Sequence, residues 1–119
     1  MKVLVVEDQA ANRELLRELL ENFGHEVFEA NNGQEGIDRL RECHPDLVLL
    51  DIQMPVLDGF AALRQIRGDP EFCAVHVVAL TAFAMEGDEL TMISSGFDGY
   101  LTKPIDFKKM QEQLVRFSH

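Results

Sequence analysis

The sequence predicts an α/β protein, a doubly wound five-stranded parallel sheet with five helices. Three observations lead there. Short unbroken apolar runs, such as Val3 to Val6 and Leu47 to Leu50, read as strands buried on both faces. Stretches with apolar residues at helical spacing separate such runs, and the alternation repeats five times, which implies a parallel sheet with helices on both sides. At 119 residues and 46% apolar, the chain is long enough for one domain with a proper core.

Taken in order, Val3 to Val6 is the first strand. Leu15, Leu16, Leu19, Leu20 and Phe23 then share one helical face, with Arg13, Glu14, Arg17, Glu18 and Glu21 off it. Gly24 stands where a helix C-terminal glycine belongs. "HEVFEA" is a short alternating strand. Asn32 with Glu35 three residues later marks a helix start, Ile37 and Leu40 lie on its inner face, and Pro45 closes it. Leu47 to Leu50 is the third strand, and Asp58 caps a helix carrying Phe60, Leu63 and Ile66. "RGDPEF" reads as a loop and Val75 to Leu80 as the fourth strand. A weaker helical stretch covers Met85 to Ser94, and "FDGYL" is a short last strand. Asp106 caps a final helix with Phe107, Met110, Leu114 and Phe117 on one side. No linker, low-complexity segment or charge run interrupts this order, so a single domain over 1–119 is expected.

Eleven Lys and Arg against 21 Asp and Glu leave a net charge of −10, which argues against a surface built to hold nucleic-acid phosphate. Cys43 and Cys73 form neither a C-x-x-C pair nor a metal-ligand pattern with histidine, as expected of reduced thiols. The opening "MKVLVVED" is too short in its apolar part, and too quickly acidic, for a signal peptide. No window reaches the length of a membrane span. A cytoplasmic protein, or the cytoplasmic part of one, is expected.

In an open parallel α/β sheet, ligands bind beyond the carboxyl ends of the strands. The first strand ends in Glu7 and Asp8, the third in Asp51 and the fourth in Thr81, and Lys103 follows the fifth. Singly, each has an ordinary explanation. Asp8 could cap a helix, Asp51 could bond a nearby backbone N–H, Thr81 is a β-former and Lys103 a solvated charge. Together they fall on one edge. Two carboxylates about 4 Å apart repel by roughly 4 kcal/mol at an effective dielectric near 20. A hard divalent cation with oxygen ligands, such as Mg²⁺, removes that conflict, and one lysine alone does not. With both present, a phosphoryl group would meet positive charge on two sides, and a carboxylate could attack it to form an acyl phosphate. Thr81 could donate a hydrogen bond to a phosphoryl oxygen.

The segments "VLVVED", "PDLVLLDIQMPVLDG", "VVALTA" and "GYLTKPI" resemble the response-regulator receiver domains of two-component signalling, over essentially the whole chain. The resemblance implies a flavodoxin-like sheet of order 2-1-3-4-5. It implies that Asp51 accepts phosphate from a phosphohistidine on a histidine kinase or phosphotransfer protein. It implies Mg²⁺ held directly by Asp8 and Asp51, by Glu7 through water and by the backbone carbonyl of Gln53. Thr81, Ala82 and Lys103 would bind the phosphoryl oxygens, Thr81 and Tyr100 would form the switch, and the bond before Pro104 would be cis. Pro55 and Gly59 would shape the loop beyond Asp51. The output would be a protein bound on the face of the fourth helix, fifth strand and fifth helix. No direct nucleic-acid or membrane contact and no turnover enzyme are implied. Gln53 and the bulky Phe83 flank the route of attacking water, so slow self-dephosphorylation is expected. Phe83, Met85 and Leu90 are placed near the output face. Gln9 departs mildly from the pattern, where asparagine is common after the acid pair.

Three rival readings remain. A phosphatase of the haloacid dehalogenase class would need a second aspartate where Gln53 stands, as proton donor. A flavin protein would need a glycine-bearing phosphate loop in place of "EDQAAN". The chain could also be a receiver cut from a hybrid kinase or a DNA-binding regulator.

Overall fold

The computed structural model describes residues 1–53, 57–82 and 88–117. Five strands, β1 (Lys2–Val6), β2 (Glu26–Ala30), β3 (Leu47–Asp51), β4 (His76–Thr81) and β5 (Gly99–Thr102), alternate with five helices. The helices are α1 (Ala10–Asn22), α2 (Gly33–Cys43), α3 (Gly59–Gly68), α4 (Asp88–Ser95) and α5 (Phe107–Phe117). All the strand pairs are parallel, in the order β2-β1-β3-β4-β5. The predicted doubly wound sheet and its order are therefore what the chain forms.

Side-chain alternation divides the core in two. Leu4, Val6, Val48, Leu50, Val77 and Ala79 point to one side, where Ile37, Leu40, Ala62, Leu63 and Ile66 of α2 and α3 cover them, with Met92 of α4. Val3, Val5, Leu47, Leu49, Val78 and Leu80 point to the other, against Leu16 and Leu20 of α1 and Met110, Leu114 and Phe117 of α5. β1 and β3 are central and buried on both faces, which is why they read as unbroken apolar runs. Truncating a leucine here to alanine would leave a cavity worth about 2–5 kcal/mol of stability.

The predicted caps are made. The Asn32 side chain accepts from Glu35 N, Asp58 from Ala61 N, and Asp106 from Lys108 N and Lys109 N. Gly24 has φ +86°, a left-handed turn that glycine adopts without strain. Three expectations need correction, and one alternative reading, Asp8 as a helix cap, is ruled out. Leu15 is 47% exposed, because α1 turns the Leu16 and Leu20 stripe inward and leaves Leu15 beside it. Asp8 is not the cap of α1. Gln9 holds that place, with no side-chain cap bond. The loop read as "RGDPEF" begins later, since α3 runs on to Gly68. β2 is half-buried along most of its length instead of cleanly alternating, because it lies at the edge of the sheet. Met85, at the predicted start of the fourth helix, lies outside the described residues.

Candidate functional site

Register aligns the carboxyl ends of the strands. Val6 pairs with Leu50, Asp51 with Leu80, and Thr81 with Thr102. The residue after Val6 and the last residue of β3 therefore meet side by side at one edge. Glu7 is 0% and Asp51 2% exposed, whereas Asp8 turns outward to solvent. The three carboxylates each offer an oxygen, and these oxygens lie within 4.8 Å of one another.

Lys103 reaches this cluster from the loop after β5, whose start is fixed by Lys103 N donating to Thr81 O at 2.7 Å. Its Nζ donates to Asp51 Oδ2 at 2.8 Å and stands 2.8 Å from Glu7 Oε2. The second contact is an ion pair out of hydrogen-bond alignment, so Glu7 Oε2 is buried without a hydrogen-bond donor. The other oxygen of each acid is held by backbone: Gln53 N donates to Asp51 Oδ1 at 2.9 Å and Gln9 N to Glu7 Oε1 at 3.3 Å. The Lys103–Pro104 peptide bond is cis.

Burial holds the Glu7 carboxyl above the ordinary glutamate value, Lys103 pulls it down, and Asp51 beside it pushes it further up. Burial alone would lower the Lys103 ammonium, but Asp51 and Glu7 outweigh that and raise it. One ammonium thus serves two buried acids, and a third acid stands at the mouth. The donors are all oxygen, and one buried oxygen lacks a hydrogen bond. These residues fit a hard divalent cation.

α3 is set close behind the acid. A Cβ on Gly59 would stand 2.6 Å from the Asp51 carbonyl oxygen and 2.5 Å from Ile52 Cα, so only glycine lets the helix begin there. Thr81 is fully buried at the end of β4, and Ala82 after it is exposed. Tyr100 is half-buried on β5, packs against the α2–α3 side of the core, and lines a groove of about 570 Å³ with Ala82, Thr102, Lys109 and Gln113. Glu7, Asp8, Asp51 and Lys103 are thus brought together, with Gln53 bound to Asp51 by its backbone N–H. Thr81 lies one strand over, and Tyr100 sits on the next. Pro55 and Phe83 lie outside the described residues.

Arg13 was missed by sequence reasoning. It lies on α1 where the pattern marks a solvated charge, yet its guanidinium donates to Glu7 O at 2.9 Å and ties α1 to the acidic loop. An arginine about one turn into the helix after an acid pair carries no separate signal.

A family model described as the response regulator receiver domain matches residues 3–115. The polar-differentiation response regulator DivK of Brucella ovis is 39% identical over 115 residues, covering 97% of this chain and 94% of that protein. Among solved structures, the receiver domain of a sensor histidine kinase from Pseudomonas aeruginosa, with a magnesium ion coordinated in its active-site cleft, is 32% identical with a TM-score of 0.88. That match covers 98% of this chain and 95% of the other. The chemotaxis protein CheY4 of Vibrio cholerae is 26% identical with a TM-score of 0.90, covering 98% of this chain and 97% of the other.

Proposed function

The chain belongs to the response-regulator receiver domains of two-component signalling, and from that premise we propose that it is a phosphorylation switch with Asp51 as acceptor. The observation that carries the reading is Lys103 Nζ, 2.8 Å from both Asp51 Oδ2 and Glu7 Oε2, with Asp8 completing the acidic cluster. A carboxylate oxygen of Asp51 attacks phosphorus in line. The P–N bond of a phosphohistidine on a histidine kinase or phosphotransfer protein breaks as the new P–O bond forms, and the imidazole leaves with the electron pair and takes a proton. Lys103 gives up part of its hold on Asp51 to pair with the phosphoryl oxygens. Thr81, buried at the adjacent strand end, supplies a hydroxyl donor, and the backbone N–H of exposed Ala82 can supply another.

Glu7, Asp8, Asp51 and the Gln53 carbonyl are the groups that would hold Mg²⁺. Bound there, the ion supplies the positive charge that lets an anionic phosphoryl group approach an anionic acceptor. Tyr100, half-buried beside the groove of Ala82 and Thr102, then exchanges positions as Thr81 turns toward the phosphate. The α4–β5–α5 face changes with it and selects a downstream protein, as a shift in population between two states. The reading holds whether the receiver acts alone or as part of a hybrid kinase or DNA-binding regulator, and it places the domain in the cytoplasm. No helix among the described residues is long and apolar enough to cross a membrane. The function is that of a switch that modifies itself, not of a turnover enzyme.

Intact-mass measurement after treatment with acetyl phosphate and Mg²⁺ tests the chemistry. The wild type should gain one phosphate and Asp51→Asn none. Equal gain in both would move the acceptor elsewhere.

A further inference from the structure

Glu7 and Asp8 are neighbours in the chain with opposite surroundings. Glu7 is 0% exposed, and its carboxylate is held by Gln9 N at 3.3 Å and by Lys103 Nζ at 2.8 Å. Asp8 is exposed, and among the described residues no hydrogen bond or ion pair holds its carboxylate. Where Asp8 points is therefore set by its backbone. β1 ends at Val6 and α1 begins at Ala10, so residues 7–9 lie in neither element. Glu7 N donates to Ala30 O of β2 at 3.1 Å, and Glu7 O accepts from Arg13 Nη1 at 2.9 Å. The Glu7 carbonyl and the Asp8 N–H share one planar peptide group, so a donor fixed on the first orients the bond from which Asp8 departs.

Arg13 stands about one turn into α1, and a helical side chain leans back toward the N-terminus, here over the 7–9 loop. Its side chain is 18% exposed, and its Nε lies 3.9 Å from Glu29 Oε1 of β2. Arg17, one turn on, turns instead to Glu21 at 2.8 Å and Glu29 at 3.2 Å. We propose that Arg13 is a positioning residue for the divalent ion. By holding the Glu7–Asp8 peptide it keeps the unsupported Asp8 carboxylate aimed at the oxygens of Glu7 and Asp51, all within 4.8 Å of one another. The role rests on the reading of these acids as a Mg²⁺ site. Its sign separates it from plain electrostatics. Arg13 is a cation beside an acidic cluster, so by Coulomb repulsion alone its removal should tighten Mg²⁺ binding. Loss of a group that orients a metal ligand does the reverse. Mg²⁺ demands near-ideal octahedral geometry and Ca²⁺ accepts irregular ones, so a poorly aimed Asp8 costs Mg²⁺ more.

The isotope-labelled, metal-free full chain is titrated with Mg²⁺ and, separately, with Ca²⁺ at constant ionic strength, and binding is followed through backbone amide shifts. Arg13→Met, which keeps the apolar stem, should bind Mg²⁺ about tenfold more weakly than wild type and lose less for Ca²⁺. Arg13→Lys, whose ammonium can still donate to the Glu7 carbonyl, should bind Mg²⁺ more tightly than Arg13→Met despite its charge. Arg17→Met removes a nearby guanidinium that does not hold the loop and should bind Mg²⁺ no more weakly than wild type. Core-strand amide shifts that match wild type before metal is added mark an intact fold. Unchanged or tighter Mg²⁺ binding by Arg13→Met would overturn the proposal, as would equal losses for both ions, an equal loss in Arg17→Met, or weaker binding by Arg13→Lys than by Arg13→Met. No Mg²⁺ binding by wild type would overturn the reading of the acids as a metal site, and this role with it.

Discussion

Glu7 is a carboxyl closed off from solvent, with one backbone donor, an ammonium 2.8 Å from its other oxygen and a second buried acid beside it. Burial is the largest influence on it and favours the proton. The consequence for stability has a definite sign. The folded chain keeps the Glu7 proton to a higher pH than the unfolded chain, whose glutamate releases it around 4.5. As pH rises from that value through the raised folded value, the unfolded state loses protons that the folded state retains, so stability falls across the window and levels off above it. Lys103, raised in the folded chain, remains charged throughout and adds no slope there. Urea unfolding of metal-free protein should therefore show wild type losing stability relative to Glu7→Gln as pH climbs through the window. Carboxylates remote from Glu7 cancel in that difference. Parallel profiles would mean that the Glu7 proton is not held. The acid itself is plain in the sequence, as a charge at the end of an apolar run. Its burial is not, since that depends on Lys103 arriving from the far end of the chain.

Arg67, in the last turn of α3, joins more elements than its place in the sequence suggests. Its guanidinium donates to Gly96 O after α4 at 2.8 Å, to Val75 O at 2.6 Å and Cys73 O at 3.1 Å before β4, and to Asp98 Oδ2 before β5 at 2.9 Å. Asp98 Oδ2 also accepts from Val77 N at 2.7 Å, so one carboxylate aligns β4 and is itself held by the arginine. The two connections that lead into β4 and β5 thus converge on one planar fork. Arg67→Ala strips donors from several carbonyl groups and leaves Asp98 with the Val77 N–H and, 4.0 Å away, His76 Nδ1. Partial exposure of the pair moderates the loss, and a decrease of about 2–3 kcal/mol is expected in urea unfolding. Arg67→Lys should recover less than half, because an ammonium cannot span the fork. Full recovery by lysine would reduce the arrangement to simple charge pairing. Periodicity revealed α3, but "RGDPEF" read as loop because Gly68, Asp69 and Pro70 are turn formers. Helix ends and the carbonyl groups that an arginine reaches are decided by tertiary contacts, which a local pattern does not contain.

Across the whole molecule, what was legible follows from range. Strand runs, helical stripes and caps are local, so the alternation and the doubly wound sheet could be read from the chain. The acidic site was legible because a parallel sheet brings strand ends such as Glu7 and Asp51 to one edge. Arg13 on the Glu7 carbonyl, the Arg67 fork and the open side of β2 arise between distant segments and left no pattern of their own. The same separation governs how the net charge of −10 should respond to Mg²⁺. A diffuse surface charge is relieved by any salt, whereas a bound ion acts at one place. Specific binding to the folded state alone stabilises it by about 2.7 kcal/mol at a hundred times the dissociation constant, because the unfolded chain disperses Glu7, Asp8 and Asp51. Thermal unfolding at constant ionic strength should therefore show a saturable rise with Mg²⁺ for wild type. The same curve should shift to higher Mg²⁺ for Asp8→Asn, whose exposed side chain can change without disturbing the core. Equal gains for both proteins, or equal gains with NaCl, would mean that Mg²⁺ merely screens the surface and that the three acids do not act as one site.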